Sequence, residues 1–253
     1  MKLIYIILTI SSFLLNAKYS YFDWTPLMLN TSIDFDKYNF ISSSRRCINK
    51  ESFYFNNLSL FRTNYESAEL SGANFVRADL KNVNMSKANL FRVNFTGADL
   101  RKANLTETNL DGANFTGADL RGANLKDANL DGVIFNGADL ANTTLIGDLG
   151  GANMKGVNLK NANLEGSLLK GVNLRNACMQ NSNLKNSKLH GSNLSGADLR
   201  NANLSGAILN MSNLSFANLS SSKLDEITAN NLQSCPLTLP EDWECKNNSL
   251  KKK

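Results

Sequence analysis

A spacing of five residues constrains this chain more than anything else in it. In the stretch 94–125, NFTGADLRKANLTETNLDGANFTGADLRGANL, a large apolar residue recurs at every fifth position: Phe95, Leu100, Leu105, Leu110, Phe115, Leu120 and Leu125. A small residue stands two places before each, as Val93, Ala98, Ala103, Thr108, Ala113, Ala118 and Ala123. A longer period overlies the first. Phe95 returns as Phe115, Gly97 as Gly117 and Asp99 as Asp119, a repeat of 20 residues or four pentapeptides. A period of five fits neither regular element. On an α-helix, five residues turn the chain through about 500°, so successive leucines spiral around it and form no stripe. On a flat strand five is odd, and successive leucines fall on opposite faces. The period makes sense if the chain bends once per pentapeptide and each short extended segment points its small and its large residue inward. Four such segments close a square coil, and coils stack at about the 4.8 Å spacing of paired strands. Stacking predicts fixed columns, with Phe75, Phe95, Phe115 and Phe135 inside and Asp79, Asp99, Asp119 and Asp139 outside.

The recurring A(D/N)LXX motif, unbroken from about Leu58 to Leu224, resembles the pentapeptide-repeat family. The resemblance implies an all-β fold, a right-handed quadrilateral β-helix of about eight coils with non-repeat caps at both ends. The square coil follows from the periods; the handedness comes from the resemblance. Central residues run every five from Leu60 to Leu145, then to Leu149 after four, then every five from Met154 to Leu224, which makes 34 pentapeptides. At the strand spacing this is a rod of about 40 Å. The short step near Leu145–Leu149 leaves the superperiod intact, since SGADLR at 195–200 matches TGADLR at 96–101 with an offset of 99, one less than five coils. Gly147, Gly150 and Gly151 are expected to supply unusual backbone angles at that corner. The corner reads as a local kink or, alternatively, as a binding site.

The chain divides into a signal peptide at 1–17, an N-terminal capping segment at 18–52, the β-helix at 53–229, and a C-terminal cap with a basic tail at 230–253. Lys2, the apolar run Leu3–Leu15 and Ala17 have the order of an export signal cleaved after Ala17. The run is short for a spanning helix, so no stable membrane anchor is expected after cleavage. The expected compartment is exported: periplasmic, extracellular or luminal. Plastid targeting by a bipartite leader is the alternative, and Asp23, Asp34 and Asp36 count against it. The aromatic-rich segment after residue 17 reads as a lid over the first coil, since an uncovered coil exposes core and unpaired edge. At the other end Pro236 and Pro240 are expected to end the ladder. Cys235 and Cys245 bracket Trp243 and are expected to pair, as exported chains permit. Lys246–Lys253 is expected to be disordered. Cys47 and Cys178 lie too far apart along the array to join, and Cys178 takes a position usually held by Asn or Asp.

Functional chemistry is sparse. The single histidine, His190, is outward, no Gly-rich phosphate loop occurs, and no Cys-x-x-Cys offers a zinc framework. The carboxylates follow the repeat, which explains their spacing without acid–base roles. No enzyme activity and no cofactor or metal are expected. The outer columns carry the remaining information. Beside the column Asp79, Asp99, Asp119 and Asp139 runs a basic one, Lys81, Arg101 and Arg121, continued as Lys160 and Arg200. Interleaved ladders relieve like-charge repulsion, so the strip reads either as a solvated face of weak ion pairs or as a recognition strip. Asn64, Asn84, Asn104 and Asn124 on one face and Asn74, Asn94 and Asn114 on the next are expected to hydrogen-bond along their columns. Sequons such as those at Asn94, Asn104 and Asn193 arise from the repeat itself, and a eukaryotic secretory route would expose them to glycosylation. The expected function is an exported, non-catalytic structural scaffold or protein-binding module whose partner is a protein of unstated identity, with a homodimer also open. The alternative is a DNA mimic that binds topoisomerases, as some proteins of the resembled family do. Between residues 53 and 224 there are 17 Lys and Arg against 13 Asp and Glu, a net of +4, which is the wrong sign for mimicry. Nucleic acid is not an expected partner, because the cations are interleaved with carboxylates.

Overall fold

The structure is a computed structural model and describes residues 55–253. The signal peptide, the N-terminal capping segment and Cys47 lie outside the described residues. From Phe55 onward the chain winds as a four-sided helix. Each side is a single bridge residue followed by its central residue, and each pairs in parallel with the side one coil away: Ser59 with Asp79, Asn64 with Asn84, Glu69 with Asn89, Asn74 with Asn94. The rungs are backbone hydrogen bonds, such as Phe95 N–H to Asn114 O at 2.7 Å and Asn94 N–H to Ala73 O at 2.9 Å.

The pentapeptide follows from what one corner needs. The carbonyl of the central residue accepts the N–H three residues on, as in Ala98 to Phe95 at 3.0 Å. The second corner residue then takes a positive φ, as a type II turn requires. Glycine fills this place at Gly97 and Gly117 with φ of 65°, and Asn, Lys and Arg fill it elsewhere. The Asn or Asp before the central residue bridges the corner from outside: Asn94 Oδ1 accepts from Thr96 N–H at 3.0 Å, and Asp99 Oδ1 from Arg101 N–H at 3.3 Å. This is the Asx-turn bond, and it is why the motif prefers a short side chain ending in an oxygen. The remaining two positions face inward. Phe75, Phe95, Phe115, Leu100 and Leu105 are fully buried, and the Ala, Val, Ser and Thr residues two before the centres fill the corners of the square.

The rings of the first face stack as one column. Phe55, Phe75, Phe95, Phe115 and Phe135 follow at centroid distances of 4.6, 5.1, 4.9 and 4.9 Å. Tyr65, on the third face, packs edge-on to Phe55 and Phe75, and burial pushes its hydroxyl up to about 12. The asparagine columns behave differently from each other. On the third face Asn84 donates to Asn64 and Asn104 to Asn84, both at 3.0 Å. Among the described residues no such bond links Asn74, Asn94 and Asn114. The side-chain oxygens of Asn94 and Asn114 accept from the hydroxyls of Thr96 and Thr116, both at 2.7 Å; Asn84 and Asn104 accept the same kind of bond from Ser86 and Thr106, at 2.8 and 2.9 Å, and carry the column bond as well.

The short step is absorbed within one corner. Asp139 pairs with Asn158 and Thr144 with Asn163, one residue less than a full coil, and Asp148 pairs with Leu168 at the regular interval again. Every column therefore continues in phase. The three glycines do not act together as backbone specialists. Only Gly151 has a positive φ, 70°, and it sits in an ordinary corner. Gly147 is needed for space: it takes the inward small position, and a Cβ there would stand 3.1 Å from the Ala128 carbonyl oxygen.

The C-terminal end differs from expectation in two ways. The rungs pass residue 229 and Pro236 and reach Thr238, which pairs with Asn218. Pro236 falls at a corner, where the ladder asks for no N–H, so it does not stop the coil. The basic tail is also ordered. Strand β1 (Trp243–Lys246) and strand β2 (Ser249–Lys252) form an antiparallel hairpin. Asn247 and Asn248 join them with φ of 50° and 54°, the twist a two-residue hairpin turn wants. Leu250 is buried, and its N–H bonds the Ala229 carbonyl at 3.0 Å, so the hairpin covers the exposed edge of the last coil. The Cys235–Cys245 disulfide ties this hairpin to the chain that enters it. Among the described residues no helix is long and apolar enough to cross a membrane.

Candidate recognition surface

A filled core leaves chemistry only to the faces and corners. On the second face the acidic column and its cations meet as a zipper. Lys81 Nζ lies 3.0 Å from Asp79 and 3.9 Å from Asp99. Arg101 donates Nε and Nη2 to the two oxygens of Asp99, at 2.9 and 2.7 Å, and comes within 3.7 Å of Asp119. Arg121 grips Asp119 in the same way and comes within 3.7 Å of Asp139. Each cation chelates the carboxylate of its own coil and leans toward the next. Burial works to raise the Asp99 carboxyl, but the Arg101 hydrogen bonds and the charges of Arg101 and Lys81 outweigh it and hold the group below its usual range. The hydrogen bond to the facing aspartate raises Arg101 and Arg121 in turn.

The strip breaks at the short coil. Ala141 follows Asp139, and Lys160 follows Asn158 with no carboxylate at ion-pair distance among the described residues. Cys178 is a free thiol in the acidic column, paired across the rungs with Asn158 and Asp198. Arg200 chelates Asp198 at 2.9 and 2.7 Å, and Gln180 adds a bond to Asp198 at 2.7 Å. The Arg200 hydrogen bond, against partial desolvation, brings the Asp198 carboxyl down to about 2. The structure thus unites Lys81, Arg101 and Arg121 with the four aspartates, sets Arg200 apart with Asp198, and leaves Lys160 alone. These side chains are between a quarter and a half exposed, so solvent screens each pair and leaves it a weak contributor to stability. Their charges are spent on one another.

The fourth face holds a surface that the spacing of charges did not point to. Its outward column begins Glu69, Asn89, Asn109, Asn129 and Asp148, then turns to Leu168, Lys188 and Ile208. Asp148, Gly150, Gly151, Leu168, Lys170, Gly171, Lys188, His190 and Ile208 line an open groove of about 710 Å³ there. Leu168 is 38% exposed where other coils carry a hydrogen-bonding amide. One wall bears Lys170 and His190, and Lys188 stands between the two apolar residues on the floor. Along the edge Gly151, Gly171 and Gly191 have open space where a side chain would be. Asp148 Oδ1 is held by Gly150 N–H at 2.9 Å. Among the described residues Lys170 and Lys188 have neither a carboxylate at ion-pair distance nor a side-chain hydrogen bond. A signal was present in the sequence: Leu168 and Ile208 break the Asn/Asp rule at the place before a central leucine. Among the described residues no group of three or more His, Cys, Asp or Glu side chains is arranged to hold a metal ion.

A square parallel coil with a stacked core and outward Asx corners defines a solenoid class built from pentapeptides. The family model for pentapeptide repeats matches in eight copies that together span residues 59–226, and the chain belongs to this family. The fold of the family is a right-handed quadrilateral β-helix. Among solved structures the chain is similar to HetL, a pentapeptide repeat protein involved in heterocyst differentiation regulation from the cyanobacterium Nostoc, at 24% identity over 70% of this chain and 87% of that one, with a TM-score of 0.38. It is similar to QnrB1, a plasmid-mediated fluoroquinolone resistance protein, at 17% identity over 70% of this chain and 89% of that one, with a TM-score of 0.47. It is also similar to a pentapeptide repeat protein of the Arabidopsis thaliana thylakoid lumen, at 35% identity over 49% of this chain and 66% of that one, with a TM-score of 0.22. Among proteins of curated function none matches.

Proposed function

We propose that this pentapeptide repeat protein is an exported, non-catalytic scaffold that binds a partner protein on the faces of its β-helix. The observation that carries the binding part is the contrast between faces. The second face pairs Lys81, Arg101, Arg121 and Arg200, though not Lys160, with its own aspartates, whereas the fourth keeps Lys170, Lys188 and the aliphatic Leu168 open to solvent. A rigid ladder of this kind holds contact residues at fixed spacing and loses little entropy on binding. The Cys235–Cys245 bridge supports the export part, since such bonds persist in oxidising compartments. The DNA-mimic alternative needs a continuous acidic face. Here Asp99, Asp119 and Asp198 are each chelated by arginine, and residues 148–224 carry eight Lys and Arg against three Asp and Glu.

Two measurements on the chain in its native cell test this reading. Mass spectrometry of the mature form should place its first residue near Lys18, and Met1 on an abundant soluble form would refute export. Cross-linking of the native chain should join residues of the helix faces to another protein. Cross-links confined to the chain itself would refute the binding role.

A further inference from the structure

We propose that the groove on the fourth face is the docking site for an acidic segment of a partner protein, one that sets an aliphatic side chain between carboxylates. The proposal rests on the binding-scaffold reading and goes beyond it by naming the site and the chemistry of its occupant.

Three independent features meet at this place. The first is a change of column. At the position where the Asx bond and the amide ladder ask for Asn or Asp, the chain puts Leu168 and Ile208, which can do neither. Each gives up a local hydrogen bond and sets a branched aliphatic group on a flat face, with Lys188 on the rung between them. The second is the edge. The corner beside the groove carries glycine in three successive coils, and no atom lies within 4 Å of the place a Cβ would take at Gly151, Gly171 or Gly191. An approaching backbone therefore meets no side chain on that side. The next residue of the same corner column is Met211, half exposed, which extends the apolar surface toward the C-terminal end. The third is charge. Lys170 and Lys188 are unpaired among the described residues, and the one carboxylate in the lining, Asp148, accepts from a backbone N–H. The coils around the groove are basic, whereas residues 55–147 carry nine Lys and Arg against ten Asp and Glu. That asymmetry draws an acidic partner to this half of the helix and disfavours a basic one.

Successive rungs lie about 4.8 Å apart, so Leu168 and Ile208 are two rungs, or roughly 10 Å, from each other. An extended segment repeats its side chains on one face every ~7 Å. One aliphatic side chain seated between Leu168 and Ile208 then brings carboxylates two residues to either side of it, on the same face of the segment, toward Lys170 and Lys188.

The test uses the full chain, isotopically labelled, and the acetylated, amidated heptapeptide Ser-Glu-Ser-Leu-Ser-Glu-Ser, whose leucine and two glutamates share one face when extended. Two comparison peptides replace both glutamates by lysine, or the leucine by serine. In amide-correlation NMR the glutamate–leucine peptide should move the signals of Leu168, Lys188, Ile208 and Gly171. It should bind about tenfold or more tightly than either comparison peptide, since it alone satisfies both the charge and the apolar floor. Leu168→Asn with Ile208→Asn restores the residue type other coils carry, so this double variant should melt as the parent does and lose the shifts. Lys170→Glu with Lys188→Glu should move the preference to the lysine–leucine peptide. Equal affinity for the three peptides, no shifts at about 1 mM peptide, or binding unchanged by Leu168→Asn with Ile208→Asn would each overturn the groove. Loss of binding in Lys81→Gln with Arg101→Gln and Arg121→Gln instead would also overturn it, while leaving the scaffold reading in place. The scaffold reading falls separately, on the cross-linking result.

Discussion

Removing the ring of Phe115 tests what holds this helix together. Phe115 is fully buried and stacks between Phe95 and Phe135, at 4.9 Å and 19° on each side. Large-to-small replacement of a buried phenylalanine lowers stability by about 3–5 kcal/mol, and the figure is highest where surroundings cannot close the hole. Here they cannot. The separation of the coils is fixed by rungs on both sides, Phe95 N–H to Asn114 O and Phe115 N–H to Ile134 O, both at 2.7 Å. Two stacking contacts, at about 0.5–1.5 kcal/mol each, are lost as well and are partly contained in that figure. Phe115→Ala should therefore fall near the upper end. The adjoining outward residue provides the control. Thr116→Ala removes one hydroxyl bond, at 2.7 Å to Asn114 Oδ1, and should lower stability by about 1 kcal/mol. For chains of this size each kcal/mol moves the melting temperature by about 2–4 °C, so thermal unfolding followed by far-UV circular dichroism should show roughly 10 °C or more for Phe115→Ala against a few degrees for Thr116→Ala. Coils next to position 115 should open first, because a solenoid is coupled mainly to its neighbours. Equal losses from the two variants would refute the stacked core as the main source of stability.

The Asp198–Arg200 pair predicts a pH dependence. Folding depresses the Asp198 carboxyl from 3.8 to about 2, so its contribution is present above pH 3.8 and is lost as pH falls toward 2. Arg200→Gln should return the Asp198 titration, read from its side-chain carbon shift, toward 3.8, and an unchanged midpoint would contradict the chelation. Replacing Cys235 and Cys245 together by serine should destabilise the C-terminal hairpin by about 2–4 kcal/mol, seen as faster exchange of the Leu250 amide, with little change at Leu105. Unchanged exchange at Leu250 would count against the bridge as the tie of the cap. Inserting one asparagine after Ile146 restores a full coil, fills the positive-φ corner place as Asn142 does and leaves Gly147 inward, so it should change stability by no more than about 0.5 kcal/mol, because the columns are in phase on both sides. A loss on the scale of Phe115→Ala would mean that the short corner is required for the fold.

Most of the architecture was legible in the sequence because a solenoid is almost one-dimensional. Its contacts lie at fixed sequence offsets, so the period of five gave the corner, the period of 20 gave the coil, and recurring Phe95 and Phe115 gave a column without knowledge of anything distant. The Cys235–Cys245 pairing was legible for the same reason, being local. What the periods could not give was the use of side chains that have two partners in reach. Asn94 and Asn114 serve only their own corners, while Asn84 and Asn104 accept from Ser86 and Thr106 in their corners and bond along their column as well, a difference between faces that the motif does not encode. Gly147 looked like a residue chosen for backbone freedom, and only the approach of the Ala128 carbonyl showed that it is chosen for space. The tail looked disordered by composition, yet Leu250 among the lysines finds the open end of the last coil. The groove belongs with these. Leu168, Lys188 and Ile208 are 20 residues apart in the chain and become one surface only when the coils stack, which is a property of the tertiary fold and not of any local stretch.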